Sequence, residues 1–195
     1  MDHRFLQQTE FLLEVDKLKN VIRQNYLADG SRRENDTEHS WHIAIMVALM
    51  EEYFLGIDIL KTLKMVLLHD LVEIDAGDTF AYDIQGYTTK EARETEAAHR
   101  IFGLLPTSQK EEYLSLWQEF ESMKTPESIC GAIMDRIQPL MLNYHSQGKM
   151  WKLKNITSEQ IRERNSIVFE KGPLVFQEYV ESIIQDALEK GYLNS

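Results

Sequence analysis

Apolar positions recur along most of the chain at three- and four-residue spacings, the period of helices that pack by one face. A first segment, about 5–26, carries Phe5, Leu12, Val15, Leu18 and Ile22 before Asp29-Gly30 breaks it. A second opens at Asp36-Thr37, either of which can cap it, and runs to about 54. A third, from near Asp58 to about Ile74, carries Leu60, Leu63, Val66, Leu67 and Leu71. An irregular stretch follows, from Asp75 through Gly77-Asp78 to Tyr87-Thr88. Helical patterns resume at about 90–102, 108–122, 127–146, 158–169 and 173–190. Pro106 and Pro126 stand at or just before helix starts and Pro173 at a first turn, where a missing N–H costs little. Seven or eight helices and no strand predict an all-α, bundle-like fold.

Composition narrows this reading. The 195 residues suffice for one domain with a substantial core, and 43% hydrophobic with 27% charged residues is the balance of a folded globular protein. Neither a repeat nor a low-complexity linker divides the chain, so residues 1–195 are read as a single domain. The strongest apolar run, Ile43 to Met50, is too short to span a bilayer, and Met1-Asp2-His3-Arg4 does not open a secretory signal. A lone cysteine, Cys130, precludes an internal disulfide and suits a reducing cytoplasm; its apolar surroundings read as a small buried hydrophobe. The net charge of −11, with no Lys/Arg stripe, argues against polymeric nucleic acid but leaves room for a small anion beside a bound cation.

Candidate chemistry begins where charge interrupts apolar runs. His69-Asp70 follows Met65-Val66-Leu67-Leu68 and precedes Leu71-Val72, so an imidazole and a carboxylate enter the interior together and need partners or a cation. Glu73 lies one helical turn further on. Asp135 breaks a second apolar run, Ile129 to Met134; it is either a ligand or a buried partner for Arg136 or another arginine. With His39 these residues make a set of two imidazoles and two carboxylates. Such a set suits one divalent ion, Mn²⁺, Co²⁺, Ni²⁺, Fe²⁺, Zn²⁺ or Mg²⁺, with positions left open for water and substrate. No cysteine takes part, which disfavours a closed structural zinc site. Of the other histidines, His42 reads as packing or support for His39, His99 as exposed, and His145 as a complement to a helix C-terminus.

The order His39, then His69-Asp70, then Asp135 resembles the HD-domain phosphohydrolase superfamily. Glu34-Asn35-Asp36-Thr37-Glu38-His39-Ser40 is similar to the E-N-x-x-E-H-S segment of its bacterial 5′-deoxynucleotidases. His69-Asp70-Leu71-Val72-Glu73 with Gly77-Asp78 is similar to their H-D-x-x-E…G-D segment. The resemblance covers roughly residues 5–145; it implies a metal-site core at about 20–145, followed by C-terminal helices at 146–195. It implies His39, His69, Asp70 and Asp135 as ligands of one metal, Glu73 as the catalytic carboxylate and Asp78 as a second acid near the attacking water. It also implies that Arg23 contacts the substrate phosphate. For Glu73, the residues alone also allow a carboxylate that merely holds His69.

Two departures concern the substrate. Gln24 stands where the bacterial enzymes carry a tryptophan; it can hydrogen-bond a sugar or base but cannot stack. Thr79-Phe80-Ala81-Tyr82-Asp83 replaces a proline-bearing turn, and Phe80 and Tyr82 either stack on a base or pack the loop. Arg32, beside Arg33, is a candidate for attracting the anion.

The leading expectation is a cytoplasmic, homodimeric phosphomonoesterase that hydrolyses the 5′-phosphate of (deoxy)nucleoside monophosphates, with Mn²⁺ or Co²⁺ as working metals; the homodimer comes from the resemblance. Its partner is a small nucleotide or phosphate ester, with neither polymeric nucleic acid nor membrane involved. The alternatives are hydrolysis of another phosphate ester or of a pyrophosphate nucleotide, and a sensor that binds nucleotide without turnover.

Overall fold

The computed structural model describes residues 2–194. Helix α1 spans His3–Val15 and is capped by Asp2, whose side chain accepts the Arg4 N–H. A 3₁₀ turn at Asp16–Asn20 ends it, and the chain then turns into a strand. Strand β1, Ile22–Tyr26, pairs antiparallel with β2, Arg33–Asn35. This corrects the expectation of one helix over 5–26 and of a chain without strands. The four-residue step from Leu18 to Ile22 fits a helix, but Asp29-Gly30 is a hairpin turn rather than a helix end: the Leu27 N–H donates to the Arg32 carbonyl at 2.9 Å and Asp29 accepts from the Ser31 N–H. Pairing is irregular between Ile22 and Tyr26, the stretch that holds Arg23 and Gln24. Such irregularities re-aim side chains beside functional sites.

Helix α2, Asp36–Leu49, is capped by Asn35, not by Asp36 or Thr37. Asn35 and Glu38 exchange side-chain bonds to each other's backbone N–H, at 2.9 and 3.1 Å. This capping box leaves the Asp36 carboxylate free to face inward. A 3₁₀ turn, Glu51–Tyr53, leads to α3, Ile59–Leu68. The expected continuation to Ile74 tightens at His69 into a 3₁₀ turn, His69–Val72, before a short α4, Glu73–Ala76. His69 Nδ1 binds the carbonyl of Val66 at 2.8 Å, so the side chain competes for an acceptor of the helical ladder. Gly77, at φ 73°, then reverses the chain and sets Asp78 beside the site.

Helix α5, Ile84–Phe102, starts earlier than expected because Asp83 accepts from the N–H groups of Gln85 and Gly86. Helices α6, Thr107–Ser122, and α7, Pro126–His145, follow the sequence pattern closely. A short α8, Lys149–Lys154, was not foreseen. The pattern at 158–169 resolves into α9, Ser158–Arg164, and α10, Ser166–Lys171. They part at Asn165, whose Nδ2 donates to the Ile161 carbonyl at 2.8 Å. Helix α11, Leu174–Glu189, closes the fold after Pro173. Asn194 then ties the C-terminal end to the start of α9, its carbonyl accepting the Ser158 N–H at 2.9 Å.

Helix α7 runs through the centre and packs on α2, α3, α6, α10 and α11. Ile133, Met134 and Ile137 on it are buried, each worth about 1.5–3 kcal/mol of transfer free energy. A Cβ on Gly131 would stand 2.9 Å from the Phe120 ring and 3.1 Å from Val66, so only glycine lets α7 approach α3 and α6 this closely. Pro139, inside α7, has no N–H for the Asp135 carbonyl one turn back. Among the described residues no helix is long and apolar enough to cross a membrane.

Candidate metal centre

His39 enters from the second turn of α2 and is fully buried. Its Nδ1 lies 2.9 Å from Gln138 Oε1 on α7. The Gln138 amide nitrogen donates to Glu34 Oε1 at 2.6 Å and to His42 Nδ1 at 3.2 Å, which fixes the amide's orientation. Gln138 Oε1 is therefore an acceptor, His39 Nδ1 carries the proton, and His39 Nε2 presents a lone pair. That lone pair faces Asp135 Oδ1 at 2.9 Å. His69 follows the same logic: a carbonyl only accepts, so Nδ1–H donates to Val66 and Nε2 is left with a lone pair. Nε2 of His69 has no hydrogen-bond partner and stands 3.0 Å from Asp70 Oδ1 and 3.7 Å from Asp135 Oδ1.

Two imidazole lone pairs and two buried carboxylates thus converge on one point, where only a proton or a cation can sit between them. Ligand atoms of His39, His69 and Asp70 lie within 4.8 Å of one another, and Asp135 closes the group. With metal–ligand bonds of about 2.0–2.2 Å, neighbouring donors stand roughly 3–4 Å apart, as these do. The donor set therefore fits a divalent metal. The electrostatics agree. Burial lowers the His69 imidazole, but Asp70 and Asp135 outweigh it and push it up to about 10. His39 is lowered, first by burial and then by the Arg23 charge.

A second carboxylate group adjoins the first. Asp36, Asp70 and Glu73 bring oxygens within 4.8 Å of one another. Arg23 lies among them, its Nη1 3.0 Å from Asp36 Oδ1 and 2.8 Å from Asp70 Oδ2. Burial, then the Asp70 charge, pushes Asp36 up to about 6. Burial followed by Asp70 and Asp36 raises Glu73 well above an ordinary carboxyl, and Glu73 Oε2 has no hydrogen-bond partner among the described residues. Asp78 is raised chiefly by burial and accepts the Gln24 backbone N–H.

These groups open onto a cavity of about 200 Å³. Arg23, Gln24, Glu73 and Asp78 line it beside His69, Asp70 and Asp135. Phe80 and Tyr82 line it as an edge-to-face pair with centroids 5.4 Å apart. Arg32 does not join this group: it is exposed, outside the lining, and its guanidinium binds Glu38 at 2.5 and 2.8 Å. His42 reaches the site only through Gln138, and His99 and His145 are exposed. Asp135 is a buried partner of Arg136, whose Nη1 pairs with its Oδ2, while its Oδ1 faces the imidazoles.

Several site residues were not foreseen. Glu34 stands in the motif without an assigned role and Asp36 is read as a candidate cap, yet both are buried against Arg23. Gln138 repeats the signal that exposed Asp135, a polar residue within the apolar part of α7. Arg136, Asn143, Arg164 and Asn165 line the cavity as well, so its wall extends past residue 145 into the C-terminal helices.

The comparisons with known proteins match this geometry. The family profile described as HD domain matches residues 15–175. The 5′-deoxynucleotidase HDDC2 of Homo sapiens is 30% identical over 120 residues, 61% of this chain and 58% of that protein. That of Dictyostelium discoideum is 29% identical over 153 residues, 75% of this chain and 80% of that one. The matched stretch spans 66% of the Danio rerio relative and 58% of the human one, so it leaves a third or more of each unaligned. A solved structure described as a predicted metal-dependent phosphohydrolase, from Magnetospirillum magnetotacticum MS-1, superposes with a TM-score of 0.94 at 42% identity, covering 98% of this chain and 96% of that one. A protein from Pyrococcus horikoshii OT3 shares the fold, with a TM-score of 0.68 at 22% identity. With its paired imidazoles and carboxylates in place across an all-α fold, the chain belongs to the HD-domain family.

Proposed function

We propose that the protein is a metal-dependent phosphohydrolase that removes the 5′-phosphate of (deoxy)nucleoside monophosphates. One observation carries the reading. The lone pairs of His39 and His69 meet Asp70 and Asp135 at one point, and the spare carboxyls of Glu73 and Asp78 line the same cavity. A structural metal would not need those additional acids. The 5′-deoxynucleotidase relatives support the choice of substrate.

In this reading His39, His69, Asp70 and Asp135 hold one divalent ion, with Mn²⁺ or Co²⁺ as working metals. When bound, the ion supplies Lewis acidity toward the phosphoryl oxygen and makes nearby water easier to deprotonate. The chain's own residues do the rest. Glu73, made basic by burial and flanking acids, takes the water proton, and Asp78, lining the same cavity, orients the water. Arg23 holds Asp70 and Asp36 in register. Gln138, backed by Glu34, keeps His39 in the ligating tautomer. Gln24 and the Phe80–Tyr82 pair border the space for sugar and base.

The same reading places residues 1–195 in one functional unit in the cytoplasm and in a homodimer. Trp41, Ile45 and Leu49, exposed at four-residue steps along α2, support self-association. Light scattering of the purified chain tests the dimer. For the activity, the full chain with Mn²⁺ or Co²⁺ is assayed against purine and pyrimidine monophosphates in ribo and deoxy forms, and against the triphosphates. Phosphate released from monophosphates supports the proposal. Pyrophosphate released from triphosphates, or binding without turnover, overturns it.

A further inference from the structure

The wall of the cavity beyond the metal centre carries two arginines that the resemblance does not assign. Arg136 follows Asp135 on α7, and Arg164 ends α9; both line the cavity. Among the described residues Arg136 is paired only with Asp135. Arg164 Nη1 donates to the Tyr87 hydroxyl at 3.1 Å. Among the described residues no carboxylate stands within ion-pair distance of Arg164, although Glu121 borders the same cavity.

Resting on the phosphohydrolase reading, we propose that Arg136 and Arg164 form the wall that receives the non-reacting oxygens of the substrate phosphate. The resemblance gives that contact to Arg23. Here Arg23 is engaged already, its Nη1 shared between Asp36 and Asp70 with Glu34 and Glu73 close by. A phosphate next to those four carboxylates meets mostly like charge. The opposite wall has the reverse balance. Among the described residues the charge of Asp135 is the only one that offsets Arg136 at contact distance, and it is the charge a divalent ion would share. Metal loading therefore leaves two arginines of the same cavity short of negative charge, near the point where a phosphoryl group would sit. Guanidinium forks match phosphate oxygens in geometry as well as charge. Tyr87 steadies Arg164 from the solvent side.

The test uses the full-length, Mn²⁺-loaded protein and Arg164→Gln, which leaves the metal ligands untouched. Calorimetric titration with inorganic phosphate reads affinity directly, metal content is measured in parallel, and steady-state kinetics on a deoxynucleoside monophosphate gives KM and kcat. Loss of a charged hydrogen bond predicts phosphate binding and KM each weakened roughly tenfold to a hundredfold, with metal content unchanged. Arg164→Lys should recover part of the loss. Should Arg164→Gln fold poorly, Tyr87→Phe serves instead and should weaken phosphate binding severalfold. Wild-type phosphate affinity in a folded Arg164→Gln or Tyr87→Phe protein overturns the assignment. A wild-type protein that binds phosphate through Arg164 but hydrolyses no monophosphate overturns the proposed function and leaves the anion wall standing.

Discussion

Gln138 Oε1 accepts from His39 Nδ1 at 2.9 Å, and this bond determines which imidazole nitrogen can ligate a metal. Gln138 is itself held by Glu34, so the tautomer of His39 rests on a relay that starts at the hairpin. Replacing Gln138 with leucine keeps volume and removes the acceptor. The expected result is a metal affinity lower by about tenfold to a hundredfold with the fold retained. Metal titration followed by circular dichroism checks both halves.

Asp70 and Glu73 should separate binding from turnover. Asp70→Ala is expected to abolish metal retention and hydrolysis together, because the ligand set loses a carboxylate and Arg23 loses one of its partners. Glu73→Gln is expected to keep the metal and lower kcat by about 10²–10⁴. Metal content by mass spectrometry beside single-turnover rates makes the comparison; an unchanged kcat removes Glu73 from the chemistry.

Arg23 is expected to matter for stability as much as for activity. Its removal takes the guanidinium from the buried Asp36 carboxylate and leaves Asp70 with the imidazoles alone. Breaking such a pair costs about 3–5 kcal/mol, so Arg23→Met should lower the urea midpoint sharply in chelator. Added Mn²⁺ should restore part of the loss, since the ion supplies positive charge to Asp70. Equal midpoints for the two proteins in chelator would contradict this.

Cys130 gives a pH prediction away from the site. Burial, and then the charge of Glu127, push its thiol up to about 12 from its ordinary value of 9.0. In the fold it stays neutral while the unfolded chain ionises. Its contribution to stability is therefore complete below pH 9 and is lost as pH climbs toward 12. A thiol reagent at pH 8 should find no reactive group in the native protein and one after denaturation.

Much of the centre was legible because charge inside an apolar run is conspicuous. His69, Asp70 and Asp135 announced themselves in that way, and the structure brings them together with His39. The hairpin was not legible, because Leu18 and Ile22 keep a helical spacing while the turn at Asp29-Gly30 decides the outcome through tertiary pairing. Arg164 lies on an ordinary amphipathic helix, and nothing local marks it. It reaches the cavity because Asn165 interrupts the helix and the C-terminal helices fold back over α7. Asp36 was hidden by its neighbour: either residue suits an N-cap, and only the capping box at Asn35 frees the carboxylate for Arg23.

Helix α7 borders the cavity from Asp135 through Pro139 to Asn143. Asn143 directs its amide nitrogen to Asn25 and to the Pro139 carbonyl, which leaves Oδ1 buried without a donor. At 1.5 Å of rise per residue, Asp135 and Asn143 are about 12 Å apart along the axis. The helix is thus a ruler with a charged mark at one end and a hydrogen-bond acceptor at the other. A bare phosphate held by Arg136, beside the first mark, would reach only that end, whereas a ligand as long as a nucleotide would span both. Length, independently of charge or shape, becomes something that this one helix can measure.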